Sequence, residues 1–378
     1  MSEQVDFLFP RLVGKRFDNH SIPLDFFRDL ASMGELLFEL AKWIYKIENE
    51  NKRIPKNFFD GISIKVSNIK NGSAIPTIVI EQPLPPACLF KPHNKLVYFE
   101  KSRDCFFEAI RNADEKEKVI SFIPDYLLKH FDSIGRGLYE DEYIEFKTPK
   151  CETSVIYNSE KRKKLVMASS KTKEYSEGVV IRGYVPEADQ DKKVFTIQQF
   201  NGQMFQAPVY EELWDDILMA FTNYEKKQII ELKGVGIRSI NGKLLKIGPV
   251  ESISILDNLD ITVQLEQLSL LKDGWLDGKG IAPDSSLLNW LTSEFNSNYE
   301  TSLPLPYFYP TPEGGIQAEW SNDKWEISLH IDLKSSKSSL QAVNIISKEI
   351  QEKDINLKII SGWTELNQIL LNLLGSSE

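Results

Sequence analysis

Cysteine is scarce in this sequence, and the three cysteines present (Cys88, Cys105 and Cys151) lie far apart without a CxxC pair. An odd and sparse set of this kind argues against a disulfide framework and against a cysteine-built zinc site. The four histidines are isolated as well, with none of the HxH, HExxH or HxxxH spacings that mark strong zinc sites. The sequence therefore predicts a protein with no resident metal or other cofactor.

Signature loops of common enzymes are also missing. There is no GxxxxGK[ST] phosphate loop, no GxGxxG after a strand and no GxSxG nucleophile elbow. No segment approaches about 18 consecutive apolar residues, and Met1–Phe17 lacks the apolar core of a signal peptide. These absences predict a cytoplasmic protein that does not bind a membrane, and they favour a non-catalytic role over an enzymatic one.

Negative charge is concentrated in the last third of the chain. The 378 residues carry a net charge of −10, of which residues 258–378 account for −9, with eight lysines, no arginine and seventeen acidic residues. Such a surface is repelled by nucleic acid and by anionic lipid. The acidic third is therefore predicted to bind another protein, whereas a local basic face remains an option in residues 1–257.

Length and composition predict a multi-domain α+β protein. Apolar residues make up 42% and charged residues 26%, which is ordinary globular composition, and the length suits two or three domains. Apolar periodicity predicts an α+β N-terminal domain over residues 1–148, including a long helix that ends near Glu48. Residues 149–177, rich in Lys, Ser, Thr and Glu, are predicted to be an exposed linker that contains a short strand.

A small β-barrel is predicted over residues 178–257. Three strands, a helix over residues 210–224 and two more strands follow one another, an order typical of an OB-like barrel. An SH3-like barrel is the alternative. The pair Asn201-Gly202 predicts a two-residue type I′ turn, because both residues tolerate positive φ.

Aromatic and basic residues of this barrel suggest a nucleic-acid platform. Four aromatic residues would stack on bases, with Lys192, Lys193, Lys243 and Lys246 as a basic fringe; the aromatic residues are Tyr184, Phe195, Phe200 and Phe205. The competing interpretation is core packing, because Phe195 and Ile197 alternate as core residues do and the barrel's helix is acidic. Nucleic-acid binding is accordingly the less favoured alternative.

The acidic α+β domain over residues 258–378 contains the most locally specified feature of the chain. If Asn322-Asp323 forms a two-residue turn, Trp320 faces Trp325 and Glu319 faces Glu326 across a β-hairpin. One face of the hairpin is then apolar and the other is polar, with Gln317, Glu319, Glu326, Ser328 and His330. Helices are also predicted after Asp257, after Pro283 and over residues 363–374.

The two opposed glutamates allow three interpretations, because like charges directly across a ladder are unfavourable. With His330 and Asp332 they would form an acid/base pair or a divalent-cation site, as in a metal-dependent hydrolase or nuclease. With Gln317 they would form an acidic docking face for a basic partner. The third interpretation is an ordinary solvated outer face.

The loop from Asp132 to Glu142 places Arg136 between two glycines. It is predicted either to grip a phosphate or carboxylate, or simply to terminate a helix and turn the chain.

Two regions resemble segments that recur in uncharacterised bacterial proteins. The first comprises GWLDGKGIAPD, around Trp275, and PLPYFYPTPEGGIQAEW, and the second comprises IPKNFFDGISIKV and NGSAIP. The resemblance implies a setting in mobile or defence-related gene neighbourhoods. With the absence of catalytic signatures, it favours a non-catalytic interaction or regulatory role, in a bacterial toxin–antitoxin or phage-defence system. It implies no activity and no site residues.

Overall fold

The computed structural model describes residues 2–24, 26–49, 54, 60–70, 74–83, 95–148, 151–170 and 173–375. Within these ranges the predicted α+β class is confirmed, with three antiparallel five-stranded sheets. Two compact units are distinguished, Met1–Val179 with Val235–Gly248 and Val180–Gly234 with Pro249–Glu378. The domain boundaries near residues 148 and 257 remain predictions.

The strands are numbered in chain order. They are β1 Ser2–Val13, β2 Ser63–Lys70, β3 Ile75–Pro83, β4 Tyr143–Thr148, β5 Cys151–Asn158, β6 Glu174–Asp189, β7 Val194–Gln199, β8 Met204–Pro208, β9 Ile229–Ser239, β10 Leu244–Leu256, β11 Tyr307–Pro310, β12 Ile316–Ser321, β13 Trp325–Asp332, β14 Lys337–Asn344 and β15 Ile350–Asn356. The α-helices are α1 Phe26–Glu48, α2 Leu96–Arg111, α3 Lys116–Phe122, α4 Ser159–Ala168, α5 Trp214–Thr222, α6 Ile261–Leu268, α7 Ser285–Asn298 and α8 Ile360–Leu374.

The first sheet has the order β2-β3-β1-β4-β5, so the N-terminal strand β1 lies at its centre. Its first half pairs with β3, as in Val5 opposite Ile80, and its second half pairs with β4, as in Leu12 opposite Ile144. The predicted helix that ends near Glu48 is confirmed as α1, and its apolar stripe is buried in the core of this unit. Strand β1 was not predicted, because Pro10 and Arg11 interrupt its alternation.

The predicted exposed linker over residues 149–177 is wrong where the structure describes it. Residues 151–168 form β5 and α4, which carry the fully buried Tyr157 and the nearly fully buried Arg162. Lys161, Lys163 and Lys164 made the segment look exposed by composition. They share α4 with Leu165 and Val166, however, which lie in the core. The segment is part of the first unit.

The loop after residue 132 holds a carboxylate from within the chain. It follows a short 3-10 helix, Asp125–Asp132, and turns at Gly135 with a φ of +72°. The backbone N–H groups of Gly135 and Gly137 hydrogen-bond the side chain of Asp29 on α1. The loop therefore terminates a helix, as one of the two predictions had it. The carboxylate that it binds is that of Asp29 in the same chain.

The middle sheet has the order β10-β9-β6-β7-β8 and curls into a half-barrel. The predicted type I′ turn at Asn201-Gly202 is wrong, because only Gly202 has a positive φ, of +84°. The Gln199 N–H donates to the Gln203 carbonyl, which closes a three-residue loop with Gly202 in the left-handed position. This geometry is that of a type I turn followed by a bulge.

The third sheet is a simple meander from β11 to β15 in sequence order. Its buried face packs against α6, α7 and α8, with Phe295 and Trp363 as the largest fully buried side chains there. The predicted helix after Pro283 is confirmed as α7, which begins at an Asp284 cap that accepts the N–H groups of Ser286 and Leu287. The predicted final helix is confirmed as α8.

Asp29 gives the first unit a testable pH dependence. The side chain is 8% exposed, its Oδ2 atom has no hydrogen-bond partner among the described residues, and burial raises its pKa to about 6 from 3.8. Because the folded-state pKa is raised, ionisation opposes folding. The free energy of unfolding should fall by up to about 3 kcal/mol as the pH rises from about 4 to 6.

Replacing Asp29 by Asn should remove this loss, since an uncharged amide oxygen still accepts the two glycine N–H groups. Relative to the native protein, Asp29→Asn should gain stability between pH 4.5 and pH 7.5, measured by urea unfolding at both values. A stability difference that stays constant over this range would contradict the assignment.

Candidate docking face on the third sheet

One face of the third sheet is open to water. Along β12 and from Glu326 along β13, side chains alternate between buried and exposed or half-buried positions. Of the predicted apolar face, Ile316, Trp320, Ile327, Leu329 and Ile331 are buried, whereas Trp325 is only half-buried against the core. The opposite set is called here the outer face: Tyr307, Tyr309, Gln317, Glu319, Ser321, Glu326, Ser328, His330, Ser339, Gln341, Val343, Ile350, Glu352 and Asp354.

The predicted register of the hairpin is wrong by two residues. Ser321 lies opposite Glu326, so the chain reverses over the four residues 322–325 and not at a two-residue Asn322-Asp323 turn. Consequently Glu319 pairs with Ser328, and the two glutamates are diagonal neighbours instead of directly opposed residues. A shift of two keeps every side chain on its predicted face, which is why the burial pattern was still correct.

Asn322 explains the longer turn. Its Oδ1 atom accepts the backbone N–H groups of Lys324 at 2.9 Å and Trp325 at 2.7 Å, and its own N–H donates to the Trp325 carbonyl at 2.9 Å. An asparagine that satisfies two backbone donors in this way stabilises a four-residue reversal. The predicted Trp320–Trp325 pair does not form, since Trp320 lies opposite Ile327.

Trp320 is instead anchored away from the turn. Its indole N–H is shared between the Tyr299 hydroxyl at 2.9 Å and the Pro304 carbonyl at 3.1 Å. Burial raises the pKa of the Tyr299 hydroxyl, so this group stays neutral and acts as a fixed acceptor. The tryptophan thus fastens β12 to the segment that precedes β11.

Four carboxylates lie on the outer face, in two pairs with β14 between them. Glu319 and Glu326 come from the predicted hairpin, whereas Glu352 and Asp354 come from β15, which was not predicted. Side-chain amides reach two of them: Gln317 donates to Glu319 at 2.6 Å, and Gln341 donates to Glu352 at 3.0 Å. Within the part of the chain that the structure describes, none of the four forms an ion pair.

His330 and Asp332 do not complete a metal site. His330 is exposed and lies between Gln317 and Ser339, while Asp332 caps the β13–β14 turn. The Ser335 hydroxyl and the N–H groups of Lys334 and Ser335 hydrogen-bond Asp332 and lower its pKa. No group of three or more potential ligands is placed to hold a metal ion among the described residues.

Backbone groups at the sheet edge formed by β11, which carries Tyr307 and Tyr309, are hydrogen-bonded to a helix side chain. Strand β11 is only four residues long, and Gln264 on α6 accepts the Phe308 N–H at 3.0 Å while donating to the Pro306 carbonyl at 2.9 Å. A short strand whose backbone is occupied in this way resists pairing with another chain. Tyr307 and Tyr309, about half exposed, therefore present side chains to a partner at this edge.

All four lysines of the predicted nucleic-acid fringe are exposed. The ammonium group of Lys246 lies 3.8 Å from the Glu174 carboxylate. Of the predicted platform, Phe195 is buried, in line with core packing. Tyr184 and Phe200 contact each other edge to face at 5.6 Å, and Lys227 lies over the Tyr184 ring.

The candidate site residues that sequence reasoning missed are Tyr307, Tyr309, Glu352 and Asp354. For the tyrosines a signal was available, because Tyr307 and Tyr309 alternate with the buried Phe308 within four residues. For β15 there was almost none, since six of its seven side chains are exposed.

No helix in the described ranges combines the length and the apolar character needed to cross a bilayer. No family model matches the sequence, and neither a curated protein nor a solved structure matches it.

The hairpin register can be tested by cross-linking, in a background where Cys88, Cys105 and Cys151 are replaced by serine. The pair Glu319→Cys and Ser328→Cys should oxidise to a disulfide, because directly opposed Cα atoms lie about 5 Å apart. The pair Glu319→Cys and Glu326→Cys should stay reduced, since diagonal positions are roughly 8 Å apart. Gel mobility without reductant reads out both; the reverse pattern would restore the two-residue turn.

Proposed function

We propose that this protein is a cytoplasmic, non-catalytic interaction protein that binds a basic segment of another protein on the outer face of its third sheet. The observation that carries the proposal is the group of four carboxylates, Glu319, Glu326, Glu352 and Asp354, on one open face without an ion-pair partner in the described chain. Partner cations would supply the missing charge. The bacterial defence setting is what the resemblance implies.

Electrostatics favour a partner over a merely solvated surface. Carboxylates that share one sheet face repel one another, and their negative potential adds up over the face although no two of them are directly opposed. Lys337 is the only lysine or arginine on the same face of β12 to β14, and it lies at the far end, opposite Asp332. A basic partner would relieve the repulsion and be attracted over a distance.

The tyrosines support a protein partner. Tyr307 and Tyr309 flank the carboxylates on the first strand and are 52% and 47% exposed. Tyrosine is enriched in protein interfaces because its ring is apolar and its hydroxyl still bonds water or a partner. An acidic sheet with an aromatic edge suits a lysine- or arginine-rich surface.

The metal-dependent hydrolase alternative is less well supported. It requires Glu319 and Glu326 to converge on one ion, whereas the register places them diagonally and Gln317 donates to Glu319. The nucleic-acid alternative fares no better, because the predicted barrel over residues 178–257 carries eleven acidic and nine basic residues. Both alternatives rank below docking.

We also propose that β6 to β10 form an OB-like module as the central of three parts. Counted along the chain from β6, the sheet order is five, four, one, two, three, and α5 lies between the third and fourth strands. This is the circular strand order of an OB barrel opened at one seam. An SH3-like barrel does not share this order.

Binding of a labelled oligolysine peptide of about ten residues, followed by fluorescence anisotropy, tests the docking face. The double variant Glu326→Lys/Glu352→Lys should bind at least about tenfold more weakly than the native protein, and native binding should weaken with salt. The matched control is Glu187→Lys/Glu294→Lys, which changes the net charge equally; Glu187 lies on β6, and Glu294 on α7 beneath the opposite face.

The control should lose much less affinity than the face variant. Equal losses in the two variants would show that only net charge attracts the peptide, and the docking proposal would then fail.

A further inference from the structure

A second recessed surface lies beside α5, in the second unit. A groove of about 900 Å³ opens where the β6–β7 loop and the end of β8 face the first turn of that helix. Tyr210 and Trp214 supply aromatic walls, and Glu211, Glu212 and Asp215 supply carboxylates. The groove is separate in sequence from the outer face of the third sheet, and its proposed role is independent of the function proposed for that face.

The walls of the groove are fixed by the backbone. Lys193 adopts a left-handed conformation with a φ of +53°, and its carbonyl accepts the Val209 N–H at 2.9 Å. The preceding residue, Lys192, is held by Asp189 through its backbone N–H at 2.9 Å and its ammonium group at 2.7 Å. The loop that forms one side is therefore preorganised, which lowers the entropic cost of binding.

The charge of the groove selects for cations. Three carboxylates line it against one lysine, Lys193, and none of the three forms an ion pair within the described residues. Glu211 and Glu212 lie in the turn that leads into α5, where the helix dipole tolerates them but does not neutralise them. An anionic ligand such as a nucleic acid is repelled from this position.

The helix beyond the groove exposes apolar side chains. Of the nine residues of α5 only Ile217 and Ala220 are buried, while Leu218, Met219 and Phe221 are 40% to 51% exposed. Trp214, Leu218 and Phe221 lie at i, i+4 and i+7 and so share one side of the helix, whereas Met219 points to another side. The aromatic groove thus continues into an apolar stripe, and a surface of this kind marks a binding site more often than a lone exposed residue does.

The geometry points to a docking site for a cationic amphipathic segment of a partner protein. The apolar side chains of that segment cover Leu218 and Phe221. One of its lysine or arginine side chains enters the groove, where the rings of Tyr210 and Trp214 and the adjacent carboxylates bind it. Cation–π contact and charge pairing act together there, because aromatic faces and carboxylates both attract a cation.

The probe for this site is a synthetic amphipathic peptide of about 18 leucine and lysine residues with the leucines on one helical face. A scrambled peptide of the same composition is the control. Calorimetry with the full-length protein should show that Glu211→Gln/Asp215→Asn and Leu218→Gln/Phe221→Gln each weaken binding by about tenfold or more. Circular dichroism should show native folding, because all four side chains are exposed.

Two control variants outside the groove test whether the loss of peptide affinity arises at the groove. Glu187→Gln/Glu225→Gln removes the same charge as the first variant from exposed positions outside the groove and should leave affinity within about twofold of native. Glu326→Lys/Glu352→Lys should retain most of the native affinity, so failure of the outer-face proposal and failure of this one are distinguishable. Equal binding of the scrambled peptide, or unchanged affinity in either groove variant, overturns the inference.

Discussion

One-sided burial is the constraint on which the third sheet depends. Three helices cover one face of the meander, and alternation sends Trp320, Leu329 and their neighbours under those helices. The remaining side chains must then face water, since in an antiparallel sheet every second residue points to the other side. Packing in the core does not determine which residues occupy the outer face. Their acidic and aromatic character is therefore evidence about what that face binds.

The face of the sheet on which each hairpin residue lies was predictable from the sequence, whereas its partner on the neighbouring strand was not. Alternation of apolar and polar residues depends only on the strand period, and it placed Ile316, Trp320 and Ile327 correctly. Pairing depends on the turn, and Asn322 stabilises a four-residue reversal with side-chain hydrogen bonds that no pattern of hydrophobicity encodes. The same reason explains Asn201-Gly202, where a bulge replaced the expected type I′ turn.

Elements without alternation were missed for a related physical reason. Strand β1 carries Pro10 at a position paired with Phe146, so a residue that usually interrupts strands lies within the central strand of the first sheet. Strand β15 buries a single side chain, Ile355, and so shows almost no apolar signal. Helix α4 carries four basic residues, yet Arg162 is buried because the Ser176 and Asp132 carbonyls accept its guanidinium. Tertiary hydrogen bonds and position within a sheet determined these three elements, and neither can be recognised in the local sequence.

The two acidic surfaces of the second unit differ in what a partner would gain. On the outer face, carboxylates lie on a broad and mostly polar sheet, so binding would depend on many weak charge pairs and would be sensitive to salt. Beside α5, the charges rim a groove next to exposed leucine and phenylalanine side chains, so burial of apolar area would add to each charge pair. A partner that is basic but not amphipathic gains little from the groove, and this difference in apolar content would let one acidic protein discriminate between two classes of basic partner.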